Sequence, residues 1–309
     1  MIEMSLDFFK KIYTEDILYH YTKASTAIDY ILYNEELKFN SRQNSFDPTE
    51  SRSSYRGTTF SLIKIDKAEE QKIAQQSNEL EKQIIALEKE FNQICFCKNN
   101  IGEDFASENY FSQFSGNEEL FGFTKPRMWE RYADNHSGVC IAFSKHKILE
   151  ANLKKYKLLF NDVQYLNFRE LSCKKIGDIS GNRLLKVGFD EYKREMKKNL
   201  ETSFFCKHID YIGENEFRIG TYYDKNKCSL DVIRGEITSD KSMMLDITGC
   251  IEAIFISSFA NIKQKISLLE YADKLEVPIV ELVWQHDSFQ AKDIRKSNEL
   301  INLVRSTNN

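Results

Sequence analysis

The sequence predicts an α+β fold in one domain covering residues 1–309, and three observations carry that prediction. Apolar strand-like runs and amphipathic helical stretches are interleaved along the chain without strict strand–helix–strand repetition. A chain of 309 residues that is 41% hydrophobic can bury a substantial core. Only 3 prolines and 12 glycines, with no internal repeat or low-complexity run, leave no stretch with the composition of an interdomain linker.

The elements follow in order. Residues 18–22, Leu-Tyr-His-Tyr-Thr, form a short strand, and Ala24, Ala27, Ile28, Ile31 and Leu32 then recur at helical spacing. Thr22 or Ser25 can cap the free first-turn amides of that helix. Residues 37–39 read as a short strand. Residues 44–50 are a turn, because Pro48 fixes its own φ and pushes Asp47 out of the helical region. The clearest helix spans 66–91, where Ile73, Leu80, Ile84, Leu87 and Phe91 line one stripe among charged residues. This helical insertion is too short for an autonomous coiled coil, so its seam either packs on the body or receives a protein partner.

A buried strand at 94–97 precedes a long Asn-, Ser- and Phe-rich loop over 98–123. Pro126 suits the first turn of a helix reaching 134, which Gly138 ends. Strands are predicted at 139–143 and 157–165, and one helix at 183–205 with Phe189, Tyr192, Met196, Leu200 and Phe204 on its apolar side. Residues 214–219 alternate, which places Glu214, Glu216 and Arg218 on one strand face and Phe217 and Ile219 on the other. An apolar strand at 250–257, a helix at 262–275 and a strand at 277–284 complete the pattern.

The net charge of −4 argues against a surface that grips nucleic acid chiefly by neutralising phosphates, and Lys193, Arg194, Lys197 and Lys198 read as a solvated helix face. Residues 1–18 mix Glu3, Asp7, Lys10, Lys11, Glu15 and Asp16 among apolar residues, unlike a signal peptide, and no run reaches the length of a membrane span. Seven cysteines, an odd number mostly in apolar surroundings, fit reduced core thiols in a cytoplasmic protein. The Cys95-x-Cys97 pair lacks a second pair and nearby histidines, so no metal site is expected.

Three constellations can carry chemistry. His20 and Thr22 lie two apart on a strand and point together beyond its end. Glu214 and Glu216 repel one another unless Arg218 offsets them. A carboxylate so placed can bond a sugar hydroxyl and stabilise positive charge at an anomeric carbon. Trp129 and Tyr132 share a helix side and can stack on a planar ring. His208 and His286 lack matching partners, and no Gly-x-Ser-x-Gly, His-Glu-x-x-His or phosphate-loop motif occurs.

Several segments in order resemble the bacterial domain-of-unknown-function family 2971. They are residues 18–22, Phe46-Asp47-Pro48-Thr49-Glu50, Ile94-Cys95-Phe96-Cys97, Met128-Trp129-Glu130-Arg131-Tyr132-Ala133 with residues 136–143, and Glu214-Asn215-Glu216-Phe217-Arg218, with 250–260 similar to a late family strand and turn. The chain departs from the family pattern at Phe46, where Asn usually stands, and at Cys97, where Ser does. A more distant resemblance joins the Tyr-His-x-Thr strand, the aromatic middle segment and the late strand glutamate to the ADP-ribosyltransferase superfamily, especially its His-Tyr-Glu branch.

That resemblance implies an ADP-ribosyltransferase-like mixed β core with peripheral helices. It implies NAD as substrate, held by His20, Tyr21, Thr22, Trp129, Tyr132 and Arg218. His20 and Thr22 would serve the adenosine-side ribose and Tyr132 the nicotinamide. Glu216 would stabilise the oxocarbenium and Glu214 would orient an acceptor, so the implied catalytic pair is Glu216 and Glu214. The expected reaction cleaves the nicotinamide glycosidic bond and passes ADP-ribose to a macromolecule, protein or nucleic acid, or to water, as in a toxin or anti-phage effector. The alternatives are a non-catalytic sensor or partner-binding module on the same scaffold, and a nucleic-acid-processing enzyme.

Overall fold

A computed structural model of the chain describes residues 4–45, 47–51, 58–59, 66–101, 120–174, 178–233, 235–285 and 288–296. Phe46, His286 and most of the expected 98–123 loop lie outside these residues. The fold is mixed α and β around one nine-stranded sheet. Its strands are β1 (Ile17–Thr22), β2 (Asn40–Ser41), β3 (Phe91–Lys98), β4 (Val139–Ser144), β5 (Leu159–Asp162), β6 (Glu216–Tyr222), β7 (Ile251–Ser257), β8 (Ile279–Gln285) and β9 (Ser288–Asp293). They run in the order β9-β8-β7-β4-β1-β3-β6-β5, with β2 also on β3. The β7–β8 pair is parallel, and the helix between its strands, Ile262–Lys274, packs on the sheet. The other pairs of this sheet are antiparallel.

Alternation along the strands builds two cores. Leu18, Ile94, Phe96, Ile141, Phe143, Phe217, Ile219 and Ile254 face one side, where the segment 24–34 and Ile262–Lys274 cover them. Tyr19, Tyr21, Cys97, Cys140, Ala142 and Phe255 face the other, under α1 (Leu6–Ile12) and Trp129 of a later helix. The segment 24–34 is helical in three pieces, Ala24–Thr26, Ala27–Ile31 and Leu32–Asn34, the middle one a π turn. No side chain caps its N-terminus, which begins after Lys23.

The 66–91 helix is α2 (Lys67–Glu90), with Asp66 capping the Glu69 amide at 2.8 Å. Ile73, Leu80 and Ile84 are buried against Leu184, Tyr192, Met196 and Leu200, so the seam expected to pack or to receive a partner is filled from within. The single helix expected at 183–205 is two. After α3 (Pro126–Tyr132), Gly181–Val187 forms α4 and Phe189–Ser203 forms α5, and Gly188 between them adopts φ 83°. The 157–165 strand likewise divides into β5 and Gln164–Leu166, which pairs in parallel with Cys206–His208.

One irregularity of the sheet positions the site. β1 pairs with β4 along its whole length, from Ile17–Ser144 to Thr22–Val139, but with β3 only at Leu18–Lys98 and Tyr19–Cys97. Further along the same edge of β3, β2 takes over through Asn40–Gln93 and Ser41–Asn92. The sheet therefore parts between β1 and β2, beside Ile94, Cys95 and Phe96.

Candidate functional site: a cleft where the central sheet parts

A cleft of about 330 Å³ opens at this parting. His20 enters it from β1, Arg42 from the turn after β2, Cys95 from β3 and Tyr132 from α3. Glu214, Glu216 and Lys207 close its floor. His20, Tyr132 and Glu216, distant in sequence, thus face one space.

His20 is half-buried, and burial lowers its pKa, with the bond to Cys95 opposing. Its Nδ1 lies 3.1 Å from the Cys95 carbonyl, which can only accept. The neutral ring must therefore carry its proton on Nδ1, which leaves Nε2 as an acceptor for a hydroxyl.

The floor is a buried ion network. Arg218 Nε reaches Glu216 Oε1 at 2.6 Å and its Nη2 reaches Glu216 Oε2 at 3.0 Å. Lys207 Nζ joins Glu216 Oε2 at 3.2 Å and Glu214 Oε2 at 2.6 Å. Glu50, on Pro48–Ser51, binds Arg218 Nη2 and accepts from the Ser45 hydroxyl at 2.7 Å. Burial alone would raise the Glu216 carboxyl, but Arg218 and Lys207 outweigh it and hold the group at about 2. The same carboxylates keep buried Lys207 charged, its pKa raised despite desolvation. The Cys95 Sγ accepts from Gln93 Nε2 at 3.7 Å, and desolvation within the cleft together with the nearby Glu216 carboxylate keeps the thiol protonated.

The structure separates the expected site residues. Tyr21 lines the cleft, yet its hydroxyl is committed to the Gly122 carbonyl at 2.7 Å and its ring stands edge-on to Trp129. Trp129, expected to stack on a ligand, is fully buried in the core and donates Nε1–H to the Phe123 carbonyl at 2.7 Å. Arg218, expected at the ligand, is 1% exposed, and the Phe204 carbonyl takes its remaining Nη1 at 2.6 Å. It holds Glu216 and Glu50 rather than a ligand. Glu214 does not share a strand face with Glu216: it ends the 3-10 turn Ile209–Glu214, and left-handed Asn215, φ 43°, separates it from β6. Tyr132 donates to Glu214 at 3.4 Å. Thr22 lines a second cleft, of about 460 Å³, with Tyr30, Asn34 and Asp231, and His20 and Asn40 belong to both walls.

Lys207 and Arg42 carry no sequence signal for these places. Lys207 sits on a three-residue strand, and a lone lysine there reads as surface. Only the acidic turn motif around Glu50 marks that segment.

Among the described residues, no group of three or more His, Cys, Asp or Glu side chains is placed to hold a metal ion, and no helix is long and apolar enough to cross a membrane. The site thus defines a class: an α+β protein with a largely apolar cleft, floored by a buried ion network, at a parting of its central sheet. Residues 128–219, which carry most of α3, the floor lysine and both glutamates, match the family model described as protein of unknown function (DUF2971). No curated protein and no solved structure matches the chain.

Proposed function

We propose that the protein uses NAD in an ADP-ribosyltransferase-like reaction, cleaving the nicotinamide glycosidic bond and transferring ADP-ribose to a macromolecule or to water. The observation that supports it is the convergence of His20, Tyr132 and Glu216 on one cleft. A volume of about 330 Å³ lies at the small end of ligand pockets and suits one nucleoside half, and the neighbouring 460 Å³ cleft suits the other. His20 Nε2, on the shared wall, accepts a ribose hydroxyl. Tyr132 packs beside the leaving ring.

Glu216 stays ionised and stabilises the oxocarbenium that forms as the bond to nicotinamide breaks with both electrons leaving on the ring nitrogen. Its lone-pair sites already receive two bonds from Arg218 and one from Lys207. One lone-pair site is left on the carboxylate, and a sugar hydroxyl takes it.

Released nicotinamide, measured chromatographically after incubation with NAD, tests the reading. Glu216→Gln is expected to lower the rate by about 10² to 10³ while NAD still binds. Equal rates in variant and parent would refute the catalytic role. A second reading, a module that binds NAD without cleaving it, is favoured by the three bonds that already hold Glu216. Calorimetric NAD binding with no nicotinamide release in the parent protein would select it.

A further inference from the structure

We propose that Arg42 is a phosphate receptor in the wall of this cleft, and that the ligand is bound through a phosphoryl group laid against its guanidinium. Arg42 is 6% exposed and lines the cleft, yet among the described residues its side chain makes no hydrogen bond or ion pair. Its Nε is buried without a partner. A buried guanidinium left this way forfeits the bonds it would make to water, and native proteins rarely tolerate that loss without a missing partner.

The surroundings show that the missing partner is not a side chain of the floor. Lys207 and Arg218 are committed to Glu214, Glu216 and Glu50. Glu50, whose charge acts on Arg42 more strongly than those of Glu88 and Asp47, is hydrogen-bonded to Arg218 and Ser45 rather than to Arg42. Arg42 rests over the Phe204 ring, 5.3 Å from guanidinium carbon to centroid, which fixes its plane. A fixed, planar fork with free N–H groups matches two oxygens of a phosphate. Asn40, Ser41 and Asn44 border the same wall and add amide and hydroxyl donors. A phosphate has enough oxygens to use the fork and these donors together.

This inference rests on the cleft being the ligand site of the proposed reaction, but not on the glycosidic step. Its test therefore uses ligands with no bond to nicotinamide. Calorimetry with adenosine 5′-diphosphate, adenosine and inorganic pyrophosphate on the full chain compares the parent with Arg42→Gln and Arg42→Lys. The diphosphate is expected to bind the parent about tenfold to a hundredfold more tightly than adenosine. That ratio should collapse toward one in Arg42→Gln with adenosine affinity unchanged, and recover in part in Arg42→Lys, which keeps the charge and loses the fork. Circular dichroism checks folding, and if Arg42→Gln does not fold, a several-fold fall in the ratio in Arg42→Lys supports the proposal in its place. An unchanged ratio in the variants, no preference in the parent, or no binding of either phosphate probe overturns the proposal. Nicotinamide release abolished by Glu216→Gln with the diphosphate preference intact separates failure of one idea from failure of the other.

Discussion

Glu216 is the carboxylate on which both the buried ion network and the proposed chemistry turn. It is 4% exposed and ionised, held between Arg218 and Lys207, and removing one member of such a buried group leaves the others uncompensated. Its folded pKa, about 2, lies below that of an unfolded glutamate. The stabilisation is therefore fully present above the unfolded value, about 4.3, and is lost as pH falls through about 2. Its size is on the order of 3 kcal/mol. Urea unfolding between pH 5 and pH 2 should show the parent losing stability over this window. Glu216→Gln, already destabilised because Arg218 and Lys207 lose a partner charge, should show a flatter profile. Parallel profiles would mean that Glu216 titrates alike in the folded and unfolded chain. Arg218 spends its donors on Glu216, Glu50 and the Phe204 carbonyl, which is why it serves the site without touching a ligand.

At the scale of elements, the junction between α4 and α5 shows what a single residue decides. Gly188 has φ 83° and ψ 164°, a region that side chains beyond glycine hardly enter. No atom lies near a Cβ built there, so Gly188→Ala introduces backbone strain without a clash. It is expected to cost about 1 to 3 kcal/mol in thermal or urea unfolding, and a neutral effect would show that the break between the helices is relaxed. Leu80→Ala in α2 tests packing instead. The side chain is 1% exposed against α4 and α5, and its truncation should cost about 2 to 5 kcal/mol. The same elements show what the sequence reveals. Apolar periodicity announces α2, β4 and β7, because burial of one face sets the spacing. It passes over Gly188, because the apolar stripe of α5 continues in phase behind it. It also extends β6 back to Glu214, since alternation cannot register the left-handed turn at Asn215. His20, Tyr132 and Glu216 are legible as chemistry at element ends. Trp129 is not separable from them, because helical spacing shows which side a residue faces and not what covers that side. Lys207 and Arg42 gain meaning only when the sheet parts, a tertiary event with no local pattern.

For the whole molecule, the question is whether the cleft and the helical layer form one cooperative unit. The layer of α2, α4 and α5 reaches the sheet through Phe91 at the start of β3, whose ring stacks on Phe204 at 4.0 Å and 17°. Phe204 in turn lies under Arg42, and its carbonyl holds Arg218, so the helical layer and the cleft floor share a residue. The cleft walls themselves come from β1, the turn after β2, β3, α3 and β6, and β1 barely pairs with β3 where the cleft opens. A ligand bridging these walls supplies contacts that the sheet lacks there, and unfolding any one wall releases it. Thermal unfolding followed by far-ultraviolet circular dichroism and by tryptophan fluorescence should therefore give one coincident transition. On the proposed reading, NAD at a hundredfold above its dissociation constant would add about 2.7 kcal/mol and raise that single transition by roughly 4 °C for a chain of this size. Two transitions, with only the fluorescence-detected one moving on addition of NAD, would mean that the Phe91–Phe204 contact does not couple the layers. The helical seam would then belong to a separately folding part.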